Sequence, residues 1–227
     1  MSGNCMAHPL LLSLTNIDTD IYSKSSLHSF LLLSLLPIPL LIHNKSCVQG
    51  LLSGHLVHQC LNFVLKPLKI TAVVRVMMSD PIGNLHHCYT PLIACIANMP
   101  EQSLIACTSP KALPVSTAIY KQFRDSICHP PHTATATLCV IKMMCAKSPQ
   151  TDLINFLKVT KKHQLNGIFK LFWRDWFHSD PSRFLLLEVL HHLHCFSFNH
   201  DLQWCIAVIG SEELDYHVTL TWTPIRY

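Results

Sequence analysis

The sequence predicts an α+β protein. An α-rich carboxy-terminal region of about three helices, residues 148–227, ends in a β-hairpin and follows a weakly specified, partly disordered or membrane-associated amino-terminal half. Three observations carry this prediction. Helix-start signals and apolar residues at helical spacing recur after residue 148, an alternation of period two closes the chain, and charge almost vanishes between residues 25 and 65. The chain divides accordingly into a tail (1–24), an uncharged apolar segment (25–65), a proline-interrupted irregular region (66–147) and the helical region with its hairpin (148–227).

In residues 25–65 the one charged residue is Lys45, and the two uncharged blocks beside it are each near the length that spans a bilayer. The first contains FLLLSLLPIPLLI, residues 30–42, in which Pro37 and Pro39 remove backbone donors and would break a helix midway. The second interleaves Gln49, His55, His58 and Gln59, groups that are costly in hydrocarbon unless paired. This segment is expected to dock to a membrane or a protein partner, or to be buried or disordered. No positively charged stretch precedes the apolar run Leu10–Leu14, so no secretory signal is expected, and without membrane association the expected location is intracellular.

Further along, LKITAVVRVMM, residues 68–78, is rich in β-branched residues and predicts a strand before the turn signal Ser79-Asp80-Pro81. Prolines at 91, 100, 110, 114, 130, 131 and 149 then predict loops with brief elements, Leu92–Ala97 and Thr137–Met144 among them. Ser148-Pro149 reads as a helix start, with Leu153, Ile154, Phe156 and Leu157 crowding a helix that ends near Lys162, before Asn166-Gly167. Phe169, Phe172, Trp173 and Trp176 fall at i, i+3, i+4 and i+7, which predicts an aromatic stripe on a second helix. Asp180-Pro181 starts a third, carrying Phe184, Leu185, Leu187, Leu190 and Leu193. The apolar run Trp204–Ile209, a polar turn, and the alternation of Tyr216, Val218, Leu220 and Trp222 with His217, Thr219 and Thr221 predict the closing hairpin.

Composition limits function more than it assigns it. Only 13% of the 227 residues are charged, against about 25% in average domains. Six are glycine, 49% are hydrophobic, and mean hydropathy is +0.29. A surface this poor in charge is weakly soluble. Two readings stand: a small hydrophobic protein covered by a membrane or partner, or an orphan reading frame with no selected activity. The net charge of +4 is small and scattered, so no nucleic-acid partner is expected, and no small-molecule ligand is identifiable. Phosphate-binding glycine loops, the nucleotide-binding Gly-x-Gly-x-x-Gly turn, the Gly-x-Ser-x-Gly elbow and the His-Glu-x-x-His helix are all missing, and no catalytic site is predicted.

The chain nevertheless holds 16 histidines and 11 cysteines, with no Cys-x-x-Cys pair, so the thiols are expected to be buried and reduced. The sharpest cluster is Glu188, His191, His194 and Cys195. Helical spacing puts Glu188, His191 and Cys195 along one face, and His194 lies three residues after His191. Carboxylate, imidazole and thiolate are ligand types for zinc or copper, so these four residues are the candidate metal site, and zinc is the cofactor they suit. Cys128, His129, His132, Cys139 and Cys145 form a second cluster, without a zinc-module spacing, and His86-His87-Cys88 a third. Lys158, Lys161, Lys162, Lys170 and Arg174 near the aromatic stripe would suit an anionic membrane surface or nucleic acid. Their plainer reading is a solvated face over an aromatic core.

Leu190-His-His-Leu-His-Cys195 resembles the His-x-x-His-Cys motif of fungal UstYa-like proteins. That family's members act as oxidases or cyclases in secondary-metabolite pathways and carry an amino-terminal membrane segment. The resemblance implies an oxidase whose site residues are His191, His194 and Cys195. It covers about six residues, and the second copy of the motif that the family carries downstream is missing.

Overall fold

The computed structural model describes residues 6–39, 41–187 and 201–213. Its elements are mixed α and β, as predicted, with small two-stranded sheets rather than one large one. The chain forms two units, residues 1–95 with 100–186, and residues 96–99 with 187–227.

The first unit opens with β1 (Ala7–Leu12), which pairs antiparallel with β2 (Leu31–Pro37) from Ala7↔Pro37 to Leu12↔Leu31, with a register shift between Leu10 and Leu11. The leucine run expected to dock or to enter a membrane is therefore a strand. Pro37 ends it, since proline cannot donate to a ladder. Between the two strands, the short helix α1 (Thr19–Tyr22) is capped by Asp18, whose carboxylate accepts the Asp20 N–H at 2.9 Å. Much of β2 stays open to solvent, with Leu31, Leu32 and Leu35 each at least 60% exposed.

Next comes α2 (Ser46–Val64). Its buried residues Val48, Leu51, Gly54, His58 and Leu61 recur every three or four positions, so one face carries the packing. Gly54 is required there by close approach, because a Cβ would lie 2.7 Å from Ile168 Cδ1 and 2.9 Å from Leu104 Cδ1. Among the described residues no helix is long and apolar enough to cross a membrane.

Residues 68–78 are not one strand. Pro67 sits in the first turn of α3 (Lys66–Val73), where its missing N–H costs nothing, and the strand is confined to β3 (Val76–Ser79). The turn signal holds: β3 pairs with β4 (Leu85–Cys88) around a loop in which the Asp80 carboxylate accepts the Ile82 and Asn84 N–H groups and Gly83 takes a φ of +97°. A short strand β5 (Cys95–Ala97) leads into α4 (Met99–Ala106), which ends at Cys107 with φ +64°.

Residues 108–132 hold a 3-10 turn (Tyr120–Gln122) and isolated bridges. The prolines at 131 and 149 then bound a helix instead of interrupting one, namely α5 (Ala134–Lys147), whose Thr133 hydroxyl accepts the Ala136 N–H. Next, α6 (Leu153–Lys162) begins at Asp152, which accepts the Asn155 N–H at 3.1 Å, four residues later than the predicted Ser148 cap.

The aromatic stripe is not helical. Residues 163–180 form successive turns, with Gly167 at φ +94°. The aromatics are buried all the same: Phe172 is 2% exposed, Trp173 1% and Trp176 5%. Their indole N–H groups determine the path. Trp173 donates to Ile105 O at 2.8 Å and Trp176 to Thr90 O at 3.0 Å, partners from separate stretches of chain that a straight helix would not satisfy together. Then α7 (Pro181–Phe184) starts on the predicted Asp180 cap and gives way to β6 (Leu185–Leu187), which pairs with β5.

In the second unit, α8 (Gln203–Ile209) replaces the predicted strand Trp204–Ile209. Short apolar runs do not separate helix from strand by periodicity, and Gly210, at φ +86°, closes the helix. The hairpin's second strand, residues 216–222, lies outside the described residues.

Candidate nucleic-acid interface

Helix α6 separates its residues by side. Phe156, Leu157 and Thr160 are buried, whereas Lys158, Lys161 and Lys162 are exposed, and His163 follows them, also exposed. The basic character continues along the turns, where Lys170 and Arg174 are exposed. From Leu153 to Arg174 the chain has five Lys or Arg and no Asp or Glu. Among the described residues none of these five forms an ion pair. Lys170 Nζ lies 6.0 Å from the Phe169 ring centre, and its charge, after burial, helps hold the His55 imidazole below its ordinary pKa.

The carboxylate that follows this run is neutralised. Asp175 Oδ1 accepts from Lys69 Nζ at 2.5 Å, and the ammonium, itself 7% exposed, also donates to Asn62 Oδ1 at 2.6 Å. A buried ammonium needs such partners. The surface that results is a positive strip supported by an aromatic core.

Beneath it lies a Cys/His contact that sequence reading missed. The His58 imidazole is fully buried. Nδ1 accepts the Phe172 N–H at 3.2 Å and Nε2 lies 3.1 Å from Leu104 O, which fixes the neutral tautomer with its proton on Nε2. Cys107 Sγ is 3.7 Å from the same Nε2. Burial lowers the His58 pKa to about 4 and raises the Cys107 thiol well above its ordinary value, so neither group carries charge near neutral pH. A nucleophilic pair needs the opposite, a thiolate beside an imidazolium. His58 and Cys107 are core residues that hold α2, α4 and the aromatic turns together.

The candidate metal residues Glu188, His191, His194 and Cys195 lie outside the described residues. The second cluster does not assemble. His129 Nε2 pairs with Asp125 at 3.0 Å, His132 Nδ1 lies 3.2 Å from Thr137 Oγ1, and Cys128 and Cys139 are exposed. In the third, His86 binds Asp80 at 3.2 Å, and the hydrogen bonds from Asn84 and then His86 lower the Asp80 carboxyl pKa to about 2. Among the described residues no three His, Cys, Asp or Glu side chains come together as ligands for a metal ion.

A family model for the Plavaka transposases matches residues 1–205. No curated protein and no solved structure matches the chain. Agreement across 205 of 227 residues replaces the six-residue resemblance to UstYa-like oxidases and removes the chain from the orphans. It also runs against the expectation of no nucleic-acid partner, which rested on the small net charge and on reading the five cations as a solvated face over an aromatic core. The chain belongs to the Plavaka transposase family.

Proposed function

We propose that this chain contributes a nucleic-acid-contacting surface to a transposase, with Lys158, Lys161 and Lys162 of α6 and the following Lys170 and Arg174 meeting the phosphate backbone. The observation that carries the reading is the segregation within residues 153–174, where every Lys and Arg is exposed, no carboxylate interrupts them, and Phe156, Leu157, Leu165, Ile168, Leu171, Phe172 and Trp173 are buried. Phosphate contacts of this kind supply affinity that is independent of sequence. Strand cutting and joining would draw on divalent cations clamped between carboxylates. The described residues do not fit such a centre, so no catalytic step is derived from them. Replacing Lys158, Lys161 and Lys162 by alanine should weaken binding to duplex DNA at least tenfold at low salt while leaving thermal unfolding nearly unchanged, since all three are exposed. An unchanged dissociation constant rejects the reading.

A second reading rests on the spacing of Glu188, His191, His194 and Cys195, which suits one zinc or copper ion. The purified chain would then carry stoichiometric metal, lost in the His191→Ala, Cys195→Ala double variant. Equal metal content in both proteins rejects it.

A further inference from the structure

Phe177 and His178 occupy the tip of the turn that follows Arg174. Phe177 is 52% exposed although Phe172, Trp173 and Trp176 just before it are buried, and its ring lies 3.9 Å from that of His178 at an interplanar angle of 53°. His178 takes a φ of +59°, a left-handed backbone that a residue with a Cβ adopts at a cost of about 1 kcal/mol.

The turn is pinned on both sides. Before it, the buried Trp176 donates its indole N–H to Thr90 O at 3.0 Å. After it, the Ser179 hydroxyl accepts the Leu92 N–H at 3.2 Å, and the Ser179 N–H returns to Trp176 O. Both anchors lie on residues 90–92, so the two rings between them are held outward by fixed ends. Burial has gone to the flanking residues, and the large apolar ring has been left in water.

Charge around the tip is suited to an anion. Arg174 is three residues from Phe177, so their Cα atoms are at most about 11 Å apart. Asp175 is held by Lys69. The other nearby carboxylate, Asp180, accepts the Ser182 N–H and hydroxyl and the Ala134 N–H. Arg183 is exposed beyond it.

From this arrangement we infer that Phe177 and His178 form a stacking platform for unpaired bases of a single nucleic-acid strand, with Arg174 taking the adjoining phosphate. The inference rests on the nucleic-acid reading above and sharpens it. Every base has a π-face, so exposed aromatics beside cations bind single strands with little regard to sequence, whereas a duplex keeps its bases stacked on one another.

The test measures binding of the full chain to a labelled single-stranded oligonucleotide and to the blunt duplex of the same sequence, by fluorescence anisotropy. Phe177→Ala should weaken single-strand binding about tenfold and leave duplex binding unchanged, and Phe177→Trp should keep it. If Phe177→Ala lowers the unfolding temperature, His178→Ala is read in its place with the same expectation. Equal losses on both probes, or none on the single strand, overturn the platform while leaving the duplex-binding reading intact. Failure of the wild-type chain to bind either probe overturns both. Binding to phosphatidylserine vesicles that excess oligonucleotide does not displace would assign the patch to lipid and overturn both as well.

Discussion

His58 links three stretches of the chain through one ring, and its protonation sets an acid limit on the fold. Its pKa is about 4 in the folded chain and 6.5 in the unfolded one, so the unfolded state takes up the proton first. Stability from this residue is complete above pH 6.5 and is lost as pH falls toward 4, by about 3 kcal/mol at the lower end. His55, also lowered by burial, acts in the same direction. Urea unfolding at pH 7 and at pH 4.5 should show this loss, and His58→Phe should flatten the dependence while lowering stability at pH 7. Trp173 permits a second prediction. Trp173→Phe keeps most of the buried ring but leaves Ile105 O with only the weak Cys107 thiol donor 3.8 Å away, a loss of about 1–3 kcal/mol in the same unfolding measurement.

Capping and closure decide which segments become elements. Asp152→Ala should cost about 1 kcal/mol by removing the cap of α6. Gly167→Ala, at φ +94° with Leu157 Cδ2 2.8 Å from the added carbon, should cost more than the cap does, and denaturant midpoints of the two variants rank them. One cap and one turn were legible in the sequence: Asp180-Pro181 starts α7, and the turn at Asp80 joins β3 to β4. Where local signals compete with distant partners they misled. The spacing of Phe169, Phe172, Trp173 and Trp176 identified core residues correctly and their backbone incorrectly, because Ile105 O and Thr90 O, remote in sequence, direct the two indoles. In α5 the β-branched residues and flanking prolines obscured a helix that Thr133 caps. The leucines of β2 pair with β1, a partnership that no local pattern encodes.

At the scale of the molecule, charge scarcity conceals charge placement. Net charge is +4 over 227 residues, yet five cations and no carboxylate fall within residues 153–174. The five residues were identifiable in the sequence as a group. Their exposure, the burial of the aromatics beneath them and the pairing of Asp175 with Lys69 depend on tertiary contacts between remote segments. The His58–Cys107 contact was not legible at all, since the two residues are 49 positions apart and neither lies in a motif. The most direct measurement is the affinity for duplex DNA across a salt series, for the wild-type chain and for the variant with Lys158, Lys161 and Lys162 replaced by alanine. The logarithm of the wild-type binding constant should fall linearly with the logarithm of salt concentration, and the variant's slope should be shallower by about 2–3. Identical slopes for the two proteins, or no binding by the wild-type chain at low salt, would contradict it.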